Sequence, residues 1–186
     1  MKRFLFIAMS LAIISCGKEN TAVEQNTQPM TYNVSGLVEK GPFVSGSTIN
    51  LQPLNGEYTP VGTNFHGEIK DNEGSFNLGS LSLSSPYAIM TSNGYFYNEV
   101  TGNLSQGTLT LNAIVDLTNK STVNVNLLTH LKYYRVQHLL KIGTKFKEAD
   151  AQAQKELFEA FGLQKYNTTD VSQFSIAKGT EQSAAM

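Results

Sequence analysis

Short segments of alternating apolar and polar residues, separated by turn signals, occupy residues 31–122 and constrain the fold most strongly. Ile49 and Leu51, for example, alternate with polar neighbours. Hairpin-type dipeptides follow such segments at Asn55-Gly56 and Asn93-Gly94. Strands that recur about every 8–12 residues between turns are typical of antiparallel sandwiches and barrels. The chain is therefore predicted to be mainly β, with an antiparallel β-sandwich domain over residues 31–122.

After residue 122 the pattern changes to helical spacing, and the charge density rises. Between Lys132 and Glu159, ten of 28 residues are charged. Asn124 or Asn126 is placed to cap the start of a first helix, and Gly143 to close it. The apolar residues at helical spacing predict its inward face: Leu127, Leu131 and Tyr134, followed by Val136, Leu139 and Leu140.

A second amphipathic helix is predicted directly after the first. Thr144 is placed to cap its start, and Gly162 to end it. Its inward face consists of residues four apart: Ala149, Ala153, Leu157 and Phe161. Two helices joined by so short a loop form a helical hairpin, which we assign to residues 123–163. Residues 164–186 are predicted to be an irregular tail.

Residues 1–15 have the features of a secretory signal peptide. Lys2 and Arg3 are positive, and the uncharged run that follows is 12 residues long, whereas a bilayer-spanning helix needs about 20 residues. The run is followed by Cys16, the single cysteine of the chain, so an internal disulfide framework is excluded.

The residues Ile13-Ile14-Ser15-Cys16-Gly17 resemble the lipobox of bacterial lipoproteins. The resemblance implies cleavage before Cys16 and acylation of this residue with palmitate-type chains. More than one chain makes physical sense, because a single acyl chain anchors a protein only marginally. An ordinary secretory signal with a chance cysteine is the alternative. The polar residues 16–30 are predicted to be a flexible tether between membrane and domain.

Lys18-Glu19 resembles the export signal of Bacteroidetes-type lipoproteins. We therefore expect a protein that is lipid-anchored in the bacterial outer membrane and displayed on the cell surface. Display on the periplasmic face is the alternative.

Motifs for catalysis, metals or cofactors are missing from the sequence. It lacks the GxSxG nucleophile motif and a glycine-rich phosphate loop with its lysine. His130 and His138 are eight residues apart, a poor spacing for a shared metal on a helix. Glu68, Asp71 and Glu73 lack the spacing of a calcium loop and are interpreted as a solvated turn.

These observations predict that the protein is not an enzyme and has no metal or cofactor. The formal net charge of −1 also gives no reason to expect nucleic acid as a partner.

The aromatic residues of the predicted sandwich are the candidates for ligand binding. Tyr87, Tyr95 and Tyr97 lie in a segment where exposed rings can stack on sugars. Phe96 alternates with Tyr95 and Tyr97, so it is expected to face the core. Structural packing is the alternative role for all of these rings.

The residues from Gly36 to Ile49, GLVEKGPFVSGSTI, resemble the opening of carboxypeptidase-regulatory-like (transthyretin-like) sandwich domains. Residues 121–131 and 149–162 resemble uncharacterised Bacteroidetes-type cell-surface lipoproteins. The resemblance implies a sandwich followed by a helical region and assigns no catalytic residues. Because the helical part of that family continues beyond the equivalent of Met186, we expect a truncated chain whose Ala185 and Met186 are mobile or exposed.

Taken together, the sequence predicts a non-enzymatic surface lipoprotein that serves as a binding, adhesion or scaffold module. Its expected partners are the membrane, through Cys16, and a glycan or surface protein. The alternatives are a carbohydrate-binding accessory of a glycan uptake system and a fimbrial-type structural subunit.

Overall fold

A computed structural model describes residues 28–186, which form two β-sheets and a few helices. The strands are β1 (Met30–Glu39), β2 (Thr48–Pro53), β3 (Phe65–Glu68), β4 (Ser75–Leu83), β5 (Tyr87–Gly94), β6 (Leu109–Asp116) and β7 (Val125–Asn126). The first sheet has the order β4-β1-β7, with β1 antiparallel to β4 and parallel to β7. The second has the order β3-β2-β5-β6, and its strands are all antiparallel. The predicted sheet-rich character is therefore confirmed.

The largest buried cluster contains residues from both sheets. Val34 and Val38 come from β1, whereas Ile49, Met90 and Leu111 come from the other sheet. Burial alternates residue by residue along β2 and β5, as the two-residue period of a strand requires. The alternation on which the strand prediction rests thus corresponds to a shared core.

One predicted hairpin turn is absent from its position. Asn93 and Gly94 are the last residues of β5 and pair with Thr110 and Leu109 of β6. A Cβ at Gly94 would overlap the side chain of Ser47, so the glycine permits close packing and does not form a turn. The Asn93 amide also bonds across the strands, donating to Thr110 Oγ1 at 2.8 Å.

The two predicted helices are present as α1 (Leu127–Lys141) and α2 (Phe146–Phe161). Asn126 caps α1 in a reciprocal capping box, and its Oδ1 accepts the Thr129 N–H at 2.9 Å. Gly162 ends α2 in the left-handed conformation, as predicted. Thr144 does not cap α2, which starts at Phe146 after Lys145 without a side-chain cap.

The predicted inward face of α1 was partly wrong. Leu131 and Tyr134 are exposed, and the buried residues of α1 are Leu128, Thr129, Lys132, Val136 and Leu139. These positions follow the helical period, and Lys132 is therefore part of the buried face. On α2 the predicted Ala149, Ala153 and Leu157 are buried, whereas Phe161 is exposed.

The helical pair covers one face of the second sheet. Val136 and Leu139 of α1 and Ala149 and Ala153 of α2 form a buried cluster with Ile114 of β6. Small alanine side chains on α2 allow this close approach. The sheet β3-β2-β5-β6 therefore has buried residues on both faces.

Residues 164–186 pack onto the helices. They contain three short 3₁₀ helices, Gln164–Tyr166, Val171–Gln173 and Ile176–Lys178, and a last helix α3 (Glu181–Ala185). Val171 and Phe174 are buried against Leu128 and Phe158. Ala185 and Met186 are half-buried against the same cluster.

Candidate functional site

Part of the predicted site lies outside the described residues. Cys16, with the signal peptide and the charged pair Lys18-Glu19, precedes residue 28. In the part of the chain that the structure describes, no helix has the length and apolarity needed to cross a membrane.

Tyr87 belongs to the packing between sheet and helices. Its ring centroid lies 4.9 Å from that of Tyr58, edge to face, and 4.9 Å from that of Phe146, stacked. Desolvation by burial, together with the nearby Tyr58 hydroxyl, raises the pKa of Tyr87 above its ordinary value. This ring therefore holds α2 against β5, and its two faces are not both open to a ligand.

Tyr95 and Tyr97 lie at the opposite end of β5 from Tyr87. Tyr95 follows the strand directly and is 45% exposed, while Tyr97 is half-buried. Phe96 packs into the core against Phe43, with ring centroids 6.0 Å apart, as the alternation predicts. Because β5 has eight residues, Tyr87 and Tyr95 are separated by about 25 Å along the strand.

Tyr95 borders a shallow groove of about 350 Å³. Its other walls are formed mainly by hydroxyl and amide residues, among them Ser45, Thr48, Asn93 and Thr108. An exposed aromatic ring beside neutral polar groups is an arrangement that suits a sugar. We call this surface the Tyr95 groove.

A larger depression, which the sequence did not reveal, lies between α2, the end of β6 and residues 167–170. Its volume is about 710 Å³, within the usual range of ligand sites. Most of the residues that line it are polar or charged, although their apolar stems and Phe146 supply much of the surface. The polar lining residues include Asp116, Lys120, Lys147, Asp150, Lys155, Asn167, Thr168 and Asp170. We call it the charged cleft.

Two ion pairs lie at the charged cleft, and Lys132 of the second lines a small pocket that adjoins it. Lys120 Nζ lies 2.6 Å from Asp170 Oδ2, and Lys132 Nζ lies 2.7 Å from Asp150 Oδ1. The Lys132 side chain is only 3% exposed, which is rare for lysine. At these distances each carboxylate compensates the charge of its lysine, which the buried Lys132 requires most.

The environment of Asp170 favours its negative charge. Desolvation by burial alone would raise the pKa of this carboxyl. The hydrogen bond and charge of Lys120, the charge of Lys132 and the Ser172 N–H outweigh that effect and lower the pKa below its ordinary value.

Buried asparagines hold the tail segment that carries Asp170. The Asn124 side-chain amide donates to the Phe174 carbonyl at 2.9 Å. The Asn126 amide donates to the Val171 carbonyl at 2.8 Å and to that of Phe174 at 3.1 Å. These bonds replace the regular backbone pairing that the tail lacks, and they set the position of the cleft wall.

The cleft residues carry only a faint sequence signal. Lys132 lies four residues after Leu128 and four before Val136, in register with the buried face of α1. A lysine at such a position requires a buried partner, which is a usable indication of a polar cluster. Nothing in the local sequence identifies Asp150 or Asp170 as that partner.

The other candidates that the sequence suggested have structural partners. Asp71 Oδ1 accepts the Glu73 and Ser75 N–H groups at 2.9 and 3.0 Å, as expected of a turn. His130 Nδ1 accepts the Asn112 N–H at 3.1 Å. Among residues 28–186, no group of three or more histidine, cysteine or acidic side chains is arranged to hold a metal ion.

No protein-family model matches this chain, and no curated protein matches it.

Proposed function

We propose that this protein is a lipid-anchored module of the bacterial outer membrane that binds a surface partner without catalysing a reaction. The observation that carries the proposal is Cys16, the single cysteine, which directly follows an uncharged run of 12 residues. That run is too short to remain as a membrane span, and a diacylated or triacylated cysteine anchors a chain stably.

The fold in this proposal is a transthyretin-like sandwich of the carboxypeptidase-regulatory type, followed by the helical pair. Its support is the buried cluster that draws on both sheets, together with the sequence Gly36–Ile49. A sandwich with one face covered by helices is a rigid body suited to presenting loops and clefts to a partner.

Metabolic labelling with a palmitate analogue tests the anchor. The wild-type chain is expected to incorporate label and to partition into detergent, whereas Cys16→Ala is expected to lose both properties. Equal labelling of the two chains would refute lipidation at this residue. Protease shaving of intact cells then distinguishes surface display, where the chain is cut, from the periplasmic face, where it is protected.

A carbohydrate-binding role is the second candidate, and the Tyr95 groove is the observation that favours it. A neutral sugar that stacks on the exposed ring can bond to the hydroxyl and amide groups around it. In a glycan array, Tyr95→Ala is expected to abolish binding, and Tyr97→Ala to weaken it less because Tyr97 is more buried. Tyr134→Ala is the matched control, since Tyr134 is 67% exposed on α1 and outside the groove.

Failure of the wild-type chain to bind any glycan on the array would refute the carbohydrate role and leave adhesion or scaffolding. A fimbrial-type role requires polymerisation by strand exchange. Size measurement of the purified full chain in detergent tests it, with a single species counting against a fimbrial subunit.

A further inference from the structure

The charged cleft ends in a small recess that contains an unsatisfied hydroxyl. Ser172 is 4% exposed, and its Oγ has no hydrogen-bond partner within residues 28–186. The recess has a volume of about 10 Å³, roughly that of a single water-sized probe. Since buried polar groups nearly always find partners, the recess has room for one, a water molecule or a ligand hydroxyl.

The lysines at the charged cleft differ in their partners. Asp150 and Asp170 are paired with Lys132 and Lys120 as described above. Lys147 on the rim forms no ion pair with any residue in the described range 28–186. The lining as a whole carries three lysines and three aspartates, so the positive charge that an anion can meet is local to the Lys147 side of the cleft.

Helix α2 supplies both exposed lysines of the cleft. Lys147, Ala151 and Lys155 are four residues apart and all line the cleft, so the two lysines are separated by about 12 Å along the helix axis. Ala151 leaves space between them for a ligand. Lys155 also lies 3.8 Å from Glu159, an exposed pair that an incoming anion can replace.

The opposite wall supplies neutral polar groups. Asn167 and Thr168 are exposed at the edge of the cleft, and their amide and hydroxyl groups match ligand hydroxyls. The Asp116 carboxylate adds a hydrogen-bond acceptor. With three aspartates in the lining, the cleft disfavours a dense polyanion such as nucleic acid, which requires a broad basic surface.

We propose that the charged cleft is a binding site for an acidic oligosaccharide. Its carboxylates lie along Lys147 and Lys155, its hydroxyls bond to Asn167 and Thr168, and one hydroxyl reaches Ser172 Oγ. The site is at the Tyr87 end of β5 and is therefore separate from the Tyr95 groove. It also does not depend on lipidation.

Titration calorimetry of the full chain in detergent tests the site with tetragalacturonate and its fully methyl-esterified form. The acid form is expected to bind, and the ester about tenfold more weakly or not at all, because each charge-assisted hydrogen bond contributes that much. Binding of the acid is expected to weaken as salt is added, since the rim lysines are exposed. No binding of the acid, or equal binding of the ester, overturns the proposal.

Three variants locate the site. Lys147→Gln combined with Lys155→Gln is expected to lower affinity at least tenfold, while Lys70→Gln, an exposed lysine outside the cleft, leaves it unchanged. Ser172→Ala is expected to lower affinity without lowering the melting temperature, because its hydroxyl has no partner to lose within the described chain. Unchanged affinity in the double variant or in Ser172→Ala contradicts the proposed contacts, as does an equal loss in Lys70→Gln.

Discussion

The buried carboxylate of Glu39 allows a quantitative test of how the tail is held. Glu39 is 1% exposed at the end of β1. Its Oε1 accepts the Ser175 hydroxyl at 3.1 Å and the Ala177 N–H at 3.4 Å, and its Oε2 accepts the Ile176 N–H at 3.3 Å. Lys178 is the charged group that contributes to its electrostatic environment. The carboxylate thus connects the first sheet to the tail.

Glu39→Ala is expected to destabilise the fold by about 2 kcal/mol. It leaves the Ser175 O–H and the Ile176 N–H without their Glu39 acceptors, each at about 1–3 kcal/mol, and the removal of a desolvated charge offsets part of that cost. Glu39→Gln keeps one acceptor oxygen and removes the charge, so it should lie within about 1 kcal/mol of wild type. Urea unfolding of the three chains at pH 7 measures this order.

The pH dependence gives the decisive comparison. Desolvation by burial raises the pKa of Glu39 above its ordinary value of 4.5, more than the hydrogen bonds from the tail and the charge of Lys178 lower it. The folded state therefore binds the proton more tightly than the unfolded state. This contribution to stability is full below pH 4.5 and is lost as pH rises through the folded pKa.

Wild type should consequently gain stability relative to Glu39→Gln when the pH is lowered from 7 to 4. The glutamine variant is the internal reference, since all other titrating groups are shared. If wild type instead loses stability relative to Glu39→Gln on acidification, the hydrogen bonds from the tail outweigh desolvation, and the reasoning is refuted.

Further predictions concern a close backbone contact and two ion pairs. Gly36→Ala should cost about 2 kcal/mol in urea unfolding, because a Cβ would overlap the Val123 carbonyl, while Gly56→Ala, with open space around it, should not destabilise. Lys132→Met should lower the free energy of unfolding by about 2–3 kcal/mol, because it leaves Asp150 unpaired. The double variant Lys132→Met with Asp150→Leu should recover most of that stability. An equal loss of stability in the single and the double variant would refute the pairing. Hydrogen bonds from Arg135 and Gln152 lower the pKa of Glu156 to about 2. The stability that this carboxylate contributes is lost as the pH falls from about 5 to 2, so Glu156→Gln should lose less stability than wild type over that range. The difference in the free energy of unfolding should be under about 1 kcal/mol at this exposed site.

The parts of the fold that follow local rules were accessible from the sequence. Asn126 and Gly162 occupy the cap positions that their chemistry favours, and the alternation around Ile49 and Leu51 marks a buried strand face. Asn93-Gly94 has the composition of a turn but is a strand end, because Ser47 from a distant segment requires a glycine there. Close contacts of that kind are not encoded in the neighbouring residues.

The charged cleft was inaccessible for a related reason. Lys132 and Asp150 are 18 residues apart, and Lys120 and Asp170 are 50 apart, so neither pair is a local pattern. A single lysine on a predicted buried face shows that a partner is needed but does not identify it. The tyrosines, by contrast, were identified from the sequence. Only tertiary packing distinguishes their roles, because it covers the Tyr87 ring and leaves Tyr95 exposed.

The tail forms one wall of the charged cleft, and buried polar groups fix the position of the tail. Apolar packing of Val171 and Phe174 stabilises the tail but tolerates small shifts. Hydrogen bonds from Asn124 and Asn126 tolerate few, since a displaced partner leaves a buried polar group unpaired. These bonds hold the segment that presents Asp170 and Ser172 to the cleft. Substituting either asparagine should therefore alter ligand affinity at a distance, through the position of the wall.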